Sequence, residues 1–185
     1  MEIFISARMA MAKITIRADD FDFRMGTDEY IKNHELFIEH GLTETAVVQI
    51  TQYGRLPRVE QRLIDYMNTA PYWDIQLHGW AHDEYDKMSY EEIVRDLSAA
   101  FLHFQSMFKK YPTVWYTPWN RRSPDMDKAA NLMGMTISNE SWDIARFIRE
   151  KDTFDGSTVY FHLWNKNERE KIPETLKIIR EMEDR

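Results

Sequence analysis

Lys13-Ile14-Thr15-Ile16-Arg17-Ala18-Asp19-Asp20-Phe21-Asp22 is the stretch that decides how this chain reads. Ile14 to Ala18 alternates apolar and polar residues, as a β-strand does. Two adjacent aspartates follow at its end. Downstream, the short apolar run Trp73 to Leu77 ends in the same way, at His78-Gly79-Trp80-Ala81-His82. A carboxylate and two imidazoles are the usual first shell of a catalytic zinc or similar ion, and one spare carboxylate is left to act as base. The residues point to a metal-dependent hydrolase.

Working outward, strands and helices alternate. Asp28 to His40 reads as a helix closed by Gly41, Ala46 to Thr51 as a strand, and Arg58 to Asn68 as a helix. Ser89-Tyr90-Glu91-Glu92 opens the longest helix as a capping box, and Pro112 lies just past its end near Lys110. Thr113 to Tyr116 is a fourth strand. Ser123-Pro124-Asp125 opens a helix ending near Gly134, and Met135 to Ser138 is a short strand. Trp142 to Glu150 reads as helix, Ser157 to Phe161 as a strand ending at His162, and Glu168 to Arg185 as a charged terminal helix in which Pro173 is a kink or the true start. Such alternation argues for parallel βα units. About six or seven units fit the length, so the expected α/β fold is a small, distorted or incomplete (β/α) barrel. Its strand ends converge on one face. That convergence gathers Asp19, Asp20, His78, His82, the Thr117-Pro118-Trp119-Asn120 segment and His162.

Composition narrows the function. The chain has 185 residues, 43% hydrophobic and 30% charged, which suits one globular domain. It has no cysteine, so disulfides and thiolate metal sites are excluded. A net charge of −7 disfavours nucleic acid as a partner. No apolar run is long enough for a membrane span, and the first residues lack the pattern of a signal peptide. The expectation is a cytoplasmic chain with a dispensable tail at residues 1–12 and a single catalytic domain at 13–185. The sequence sets no oligomeric state. Zinc is the first choice for an Asp-His-His site, with cobalt, nickel, manganese or iron also compatible. Asp22 lies two residues beyond Asp20 and would share its face on an extended segment, so it is an alternative ligand. His34, His40 and His103 fall within predicted helices and are assigned to packing. Asp83-Glu84-Tyr85-Asp86 reads as a solvated loop that could touch substrate.

In motif order, these residues resemble the polysaccharide deacetylase superfamily, the NodB-homology fold of carbohydrate esterase family 4. The likeness runs from about Ile14 to Trp164. Arg17-Ala18-Asp19-Asp20-Phe21 resembles the family's Thr-Phe-Asp-Asp-Gly, which implies Asp19 as base and Asp20 as metal ligand. His78-Gly79-Trp80-Ala81-His82 matches His-Ser/Thr-x-x-His and implies both metal histidines. Tyr116-Thr117-Pro118-Trp119 resembles Arg-x-Pro-aromatic and gives the Trp119 backbone N–H the oxyanion. Tyr160-Phe161-His162 resembles Leu-x-His and makes His162 the general acid. Trp142 stands for the fourth motif's tryptophan, a wall of the acyl pocket. Ala-Asp-Asp-Phe also resembles the opening of YdjC-type chito-oligosaccharide deacetylases.

The chain departs from the pattern where Tyr116 replaces the third motif's arginine and Ser138 its aspartate partner. Arg17, Arg121 and Arg122 are candidate substitutes for the lost charge. The resemblance implies removal of acetyl from an N-acetylated sugar or oligosaccharide, with Trp80, Trp119, Trp142, Tyr160 and Tyr116 against the substrate. Two other function classes fit the same residues: a different amide or ureide hydrolase, and a degenerate domain that binds glycan without turnover.

Overall fold

The computed structural model describes residues 13–52 and 54–184, so the tail expected at residues 1–12 lies outside the described residues. Seven parallel strands form one sheet: β1 (Thr15–Phe21), β2 (Glu44–Gln49), β3 (Trp73–Gly79), β4 (Val114–Trp115), β5 (Thr136–Ile137), β6 (Trp142–Asp143) and β7 (Thr158–His162). Their order across the sheet is β5-β4-β3-β2-β1-β7-β6. Among the described residues β5 and β6 do not pair with each other, so the barrel stays open, as the sequence implies.

Helices α1 (Thr27–His40), α2 (Gln61–Thr69), α3 (Tyr90–Phe108), α4 (Pro124–Leu132), α5 (Ile144–Glu150), α6 (Lys166–Arg169) and α7 (Ile172–Glu183) connect and cover the strands. Neighbouring helices pack in the sequence α4-α3-α2-α1-α7-α5, following the strand order beneath them. The core between the layers includes Ala18, Val48, Leu77 and Phe161 from the sheet, with Phe37, Leu97, Phe104, Phe147 and Leu176 from the helices, all buried. Central strands are covered on both faces, which is why β2 is buried along its whole length.

Local signals account for the helix boundaries. Gly41 closes α1 in the left-handed conformation at φ 63°, and the Leu42 N–H donates back to the Phe37 carbonyl at 3.0 Å. Ser89 and Glu92 form the reciprocal capping box of α3. Two expectations change. Trp142 and Asp143 are strand rather than helix, because they pair with Val159 and Tyr160 on the sheet edge. Asp143 then caps α5, accepting from the Arg146 N–H at 2.8 Å. The stretch expected as one terminal helix from Glu168 is two helices, and of the two readings of Pro173 the true start holds: it sits in the first turn of α7, where its missing N–H costs nothing.

The ring of Phe104 is fully buried on α3 and packs 4.8 Å from Phe108. Phe104→Ala is expected to destabilise the fold by about 3–5 kcal/mol. Chemical denaturation should show this as a lower midpoint with an unchanged slope.

Candidate active site

The carboxyl ends of the strands open into one groove of about 970 Å3. Strand β1 supplies two of its residues through an irregularity. On a regular strand Asp19 and Asp20 would point to opposite faces. Here the β1–β2 register shifts between Ala18 and Phe21, and Asp20 takes a left-handed φ of 51°. Both carboxylates therefore line the groove. The same break diverts Asp22, which is fully buried and holds Arg24 through side-chain and backbone contacts. Asp22 thus lies outside the Asp20–His78–His82 cluster.

Register places the next residue. β1 and β7 pair so that Asp19 stands beside His162 and Arg17 beside Tyr160. His78 is the next-to-last residue of β3, and His82 follows one tight turn later. Gly79 makes that turn possible. Its φ is 142°, and a Cβ there would come within 2.8 Å of the Tyr85 hydroxyl. That hydroxyl accepts the Trp80 N–H at 3.0 Å and so pins the turn. Tyr85 is thus a buried support and not part of a solvated loop. Its neighbours Glu84 and Asp86 hold Arg121, while Asp83 lines the groove.

Asp20, His78 and His82 converge. Oδ1 of Asp20 lies 3.1 Å from Nε2 of His78 and 3.2 Å from Nε2 of His82. Nδ1 of His78 donates to the Tyr116 carbonyl at 2.7 Å, which turns Nε2 toward Asp20. Both Asp20 Oδ1 and His78 Nε2 are buried without a hydrogen-bond partner. A carboxylate oxygen and a ring nitrogen at this distance need a positive charge between or upon them, a proton or a metal ion. Burial opposes ionisation of Asp20, but the two imidazoles outweigh it and hold the carboxyl well below the usual range. A two-nitrogen, one-oxygen set fits a divalent first-row ion, and among the described residues no other cluster of this kind occurs. The second Asp20 oxygen accepts from the Trp164 indole at 3.3 Å.

The residues beside the triad carry partners of their own. Arg17 meets Asp19 at two points along one edge of its guanidinium, an ion-pair contact of Nε on Oδ1 at 2.6 Å and a hydrogen bond from Nη2 to Oδ2 at 2.7 Å. Of the three candidate substitutes for the lost arginine, it alone reaches Asp19; Arg121 pairs with Glu84 and Asp86, and Arg122 with Asp127. His162 faces Asp20 at 3.9 Å through Nε2, while Glu168 accepts from its Nδ1 at 3.0 Å and from its backbone N–H at 2.7 Å. Burial disfavours the imidazolium, but the Glu168 bond and the nearby carboxylates outweigh it and raise the His162 pKa.

Trp119 and Asn120 both have positive φ, 61° and 50°, which presents the Trp119 ring 4.5 Å from His82. Such strain concentrates at functional sites. Trp80, Trp119 and Tyr160 line the groove, as do Trp164, Arg24, Gln49 and Gln52. Two expected residues stay outside the lining. Tyr116 is buried with its ring against Arg17, and Trp142 stacks on Arg146 at 3.7 Å with Phe154 on its edge. Trp142 is held there because it belongs to the edge strand β6. Glu168 gave no signal in the sequence, since only the turn into α6 brings it back to His162. His34, His40 and His103 lie apart; His34 is buried against Glu44.

Residues 27–138, more than half of the chain, match the family model described as polysaccharide deacetylase. The chain belongs to the polysaccharide deacetylase family. No curated protein matches it significantly in sequence. Solved structures do. A family 4 carbohydrate esterase from Streptomyces lividans, in complex with acetate, superposes with a TM-score of 0.75 at 12% identity, covering 94% of this chain and 91% of that one. A family 4 pseudoenzyme from Bacillus anthracis gives 0.74 at 14% identity, covering 92% and 61%. A family 4 acetyl xylan esterase from Clostridium thermocellum, in complex with a cobalt ion, gives 0.68 at 16% identity, covering 90% and 80%. These likenesses establish the shared fold.

Gly79→Ala is expected to cost about 1–3 kcal/mol through backbone strain alone and to weaken cobalt binding by displacing the His78–His82 turn. Thermal melting and calorimetric titration of the stripped protein check the two effects separately.

Proposed function

We propose that this chain is a metal-dependent hydrolase that removes acetyl from an N-acetylated sugar or short glycan. The observation that carries the reading is the register pair Asp19 and His162, set side by side against the Asp20–His78–His82 cluster in one groove. A divalent ion, zinc in our assignment with cobalt, nickel, manganese or iron compatible, would be held by those three residues. It would polarise an acyl oxygen and lower the pKa of bound water.

The remaining chemistry belongs to the chain itself. Asp19 takes the proton from the attacking water. His162, its far nitrogen fixed by Glu168, points Nε2 into the groove and gives a proton to the departing amine. The Trp119 backbone N–H donates to the oxyanion that develops on the acyl oxygen. Trp80, Trp119, Tyr160 and Trp164 offer ring faces on which a sugar can stack. The groove volume falls in the range of small-ligand sites.

The Bacillus anthracis pseudoenzyme has the same fold, which supports one competing reading: a domain that binds glycan without turnover. Acetate release from a panel of N- and O-acetylated sugars, using protein stripped and reloaded with zinc or cobalt, separates the two. Metal-dependent release is expected, and Asp19→Asn should lower kcat by about 10²–10⁴-fold. No acetate with metal bound would favour the binding domain.

An amine leaves poorly unless it is protonated, whereas an alkoxide is less dependent on an acid. His162→Ala is therefore expected to cut N-deacetylation more deeply than O-deacetylation of a matched sugar. Equal losses on the two substrates would remove His162 from the role of acid.

A further inference from the structure

Arg17 is only 1% exposed and does not itself line the groove, but it contacts Asp19, which does. It precedes Asp19 by two residues on β1, so both side chains emerge on one face. Its Nε lies 2.6 Å from Asp19 Oδ1, and its Nη2 donates to Oδ2 at 2.7 Å. Nη2 also donates to Asn120 Oδ1 at 3.1 Å and to Ser141 Oγ at 3.4 Å. The rings of Tyr116 and Tyr160 lie 4.7 and 5.4 Å from the guanidinium carbon. Five residues from β1, β4's exit, the Trp119 turn, the β5–β6 connection and β7 thus fix one planar cation.

A buried ion pair is a weak stability device, because desolvation offsets most of its attraction. What this pair supplies is geometry: a two-point grip leaves the carboxylate one orientation. Through Asn120 the same cation is tied to the turn that presents Trp119.

We propose that Arg17 is the positioning residue of this active site, orienting the Asp19 carboxylate toward the attacking water, and that the guanidinium's place in space matters more than the strand it comes from. The inference rests on the deacetylase reading above. Because the Tyr116 side chain lies against the guanidinium, an arginine at position 116 can bring its head group into the same volume once residue 17 carries no charge.

The test uses the full chain loaded with cobalt and the best acetylated sugar from the panel. Arg17→Met should lower kcat by about 100-fold, the cost of a misplaced group about 1 Å from its productive position. KM and cobalt affinity should stay near their wild-type values, while the melting temperature should fall, because Asp19 is left as a buried unpaired charge. The double variant Arg17→Met/Tyr116→Arg should recover about tenfold or more of that loss. Wild-type kcat in Arg17→Met overturns the proposal, as does a double variant no better than the single one. Loss of kcat together with loss of cobalt binding would mean a structural role and overturns it too. Should Arg17→Met fail to fold, Arg17→Lys decides: it keeps the charge without the two-point grip, and a folded variant at wild-type kcat overturns the proposal. A metal-loaded wild type that releases no acetate fails the deacetylase reading itself, and this inference falls with it; an active wild type with an indifferent Arg17 fails this inference alone.

Discussion

A strand alternates its side chains, so two consecutive aspartates on β1 ought to serve opposite faces of the sheet. The left-handed backbone of Asp20, together with the register shift between Ala18 and Phe21, removes that alternation at one point. Everything in the groove depends on it. Asp19 keeps the strand register and stays beside His162. Asp20 is swung to within 3.2 Å of both histidines. A non-glycine residue in this conformation costs free energy, and surrounding contacts must hold it there. The Trp164 indole on the second Asp20 oxygen is one such contact.

Charge is distributed pairwise around this break. Asp19 is neutralised by Arg17, Asp22 by Arg24, and Arg121 by Glu84 and Asp86. His162 and Glu168 form a further pair. These charges are thereby compensated locally, whereas in the Asp20–His78–His82 cluster Asp20 Oδ1 and His78 Nε2 are buried without a hydrogen-bond partner. A metal cation would meet that need.

The family's motifs explain the shared residues, and the departures are local exchanges. Tyr116 stands where the family's arginine is expected, and its ring now packs on a guanidinium that comes from β1. Ser138 takes no part in this arrangement; its backbone N–H pairs with the Trp115 carbonyl. The solved relatives share the fold at 12–16% identity and include a pseudoenzyme. At that distance the fold does not decide activity; side-chain geometry does.

The sequence by itself determined the parallel βα order, the open barrel and the residues gathered at its mouth. Apolar alternation, caps such as Ser89 and Gly41, and residue types at strand ends are local signals, and a parallel sheet sends all its strand ends to one side. Tertiary structure alone decided which neighbours act together. It separated Asp20 from Asp22, chose Arg17 over Arg121 and Arg122, brought Glu168 back to His162, and set Trp142 on an edge strand away from the groove. Those outcomes depend on a single left-handed residue, on strand register and on the path of a turn. None of these has a periodicity, so they become visible only when distant segments are packed together.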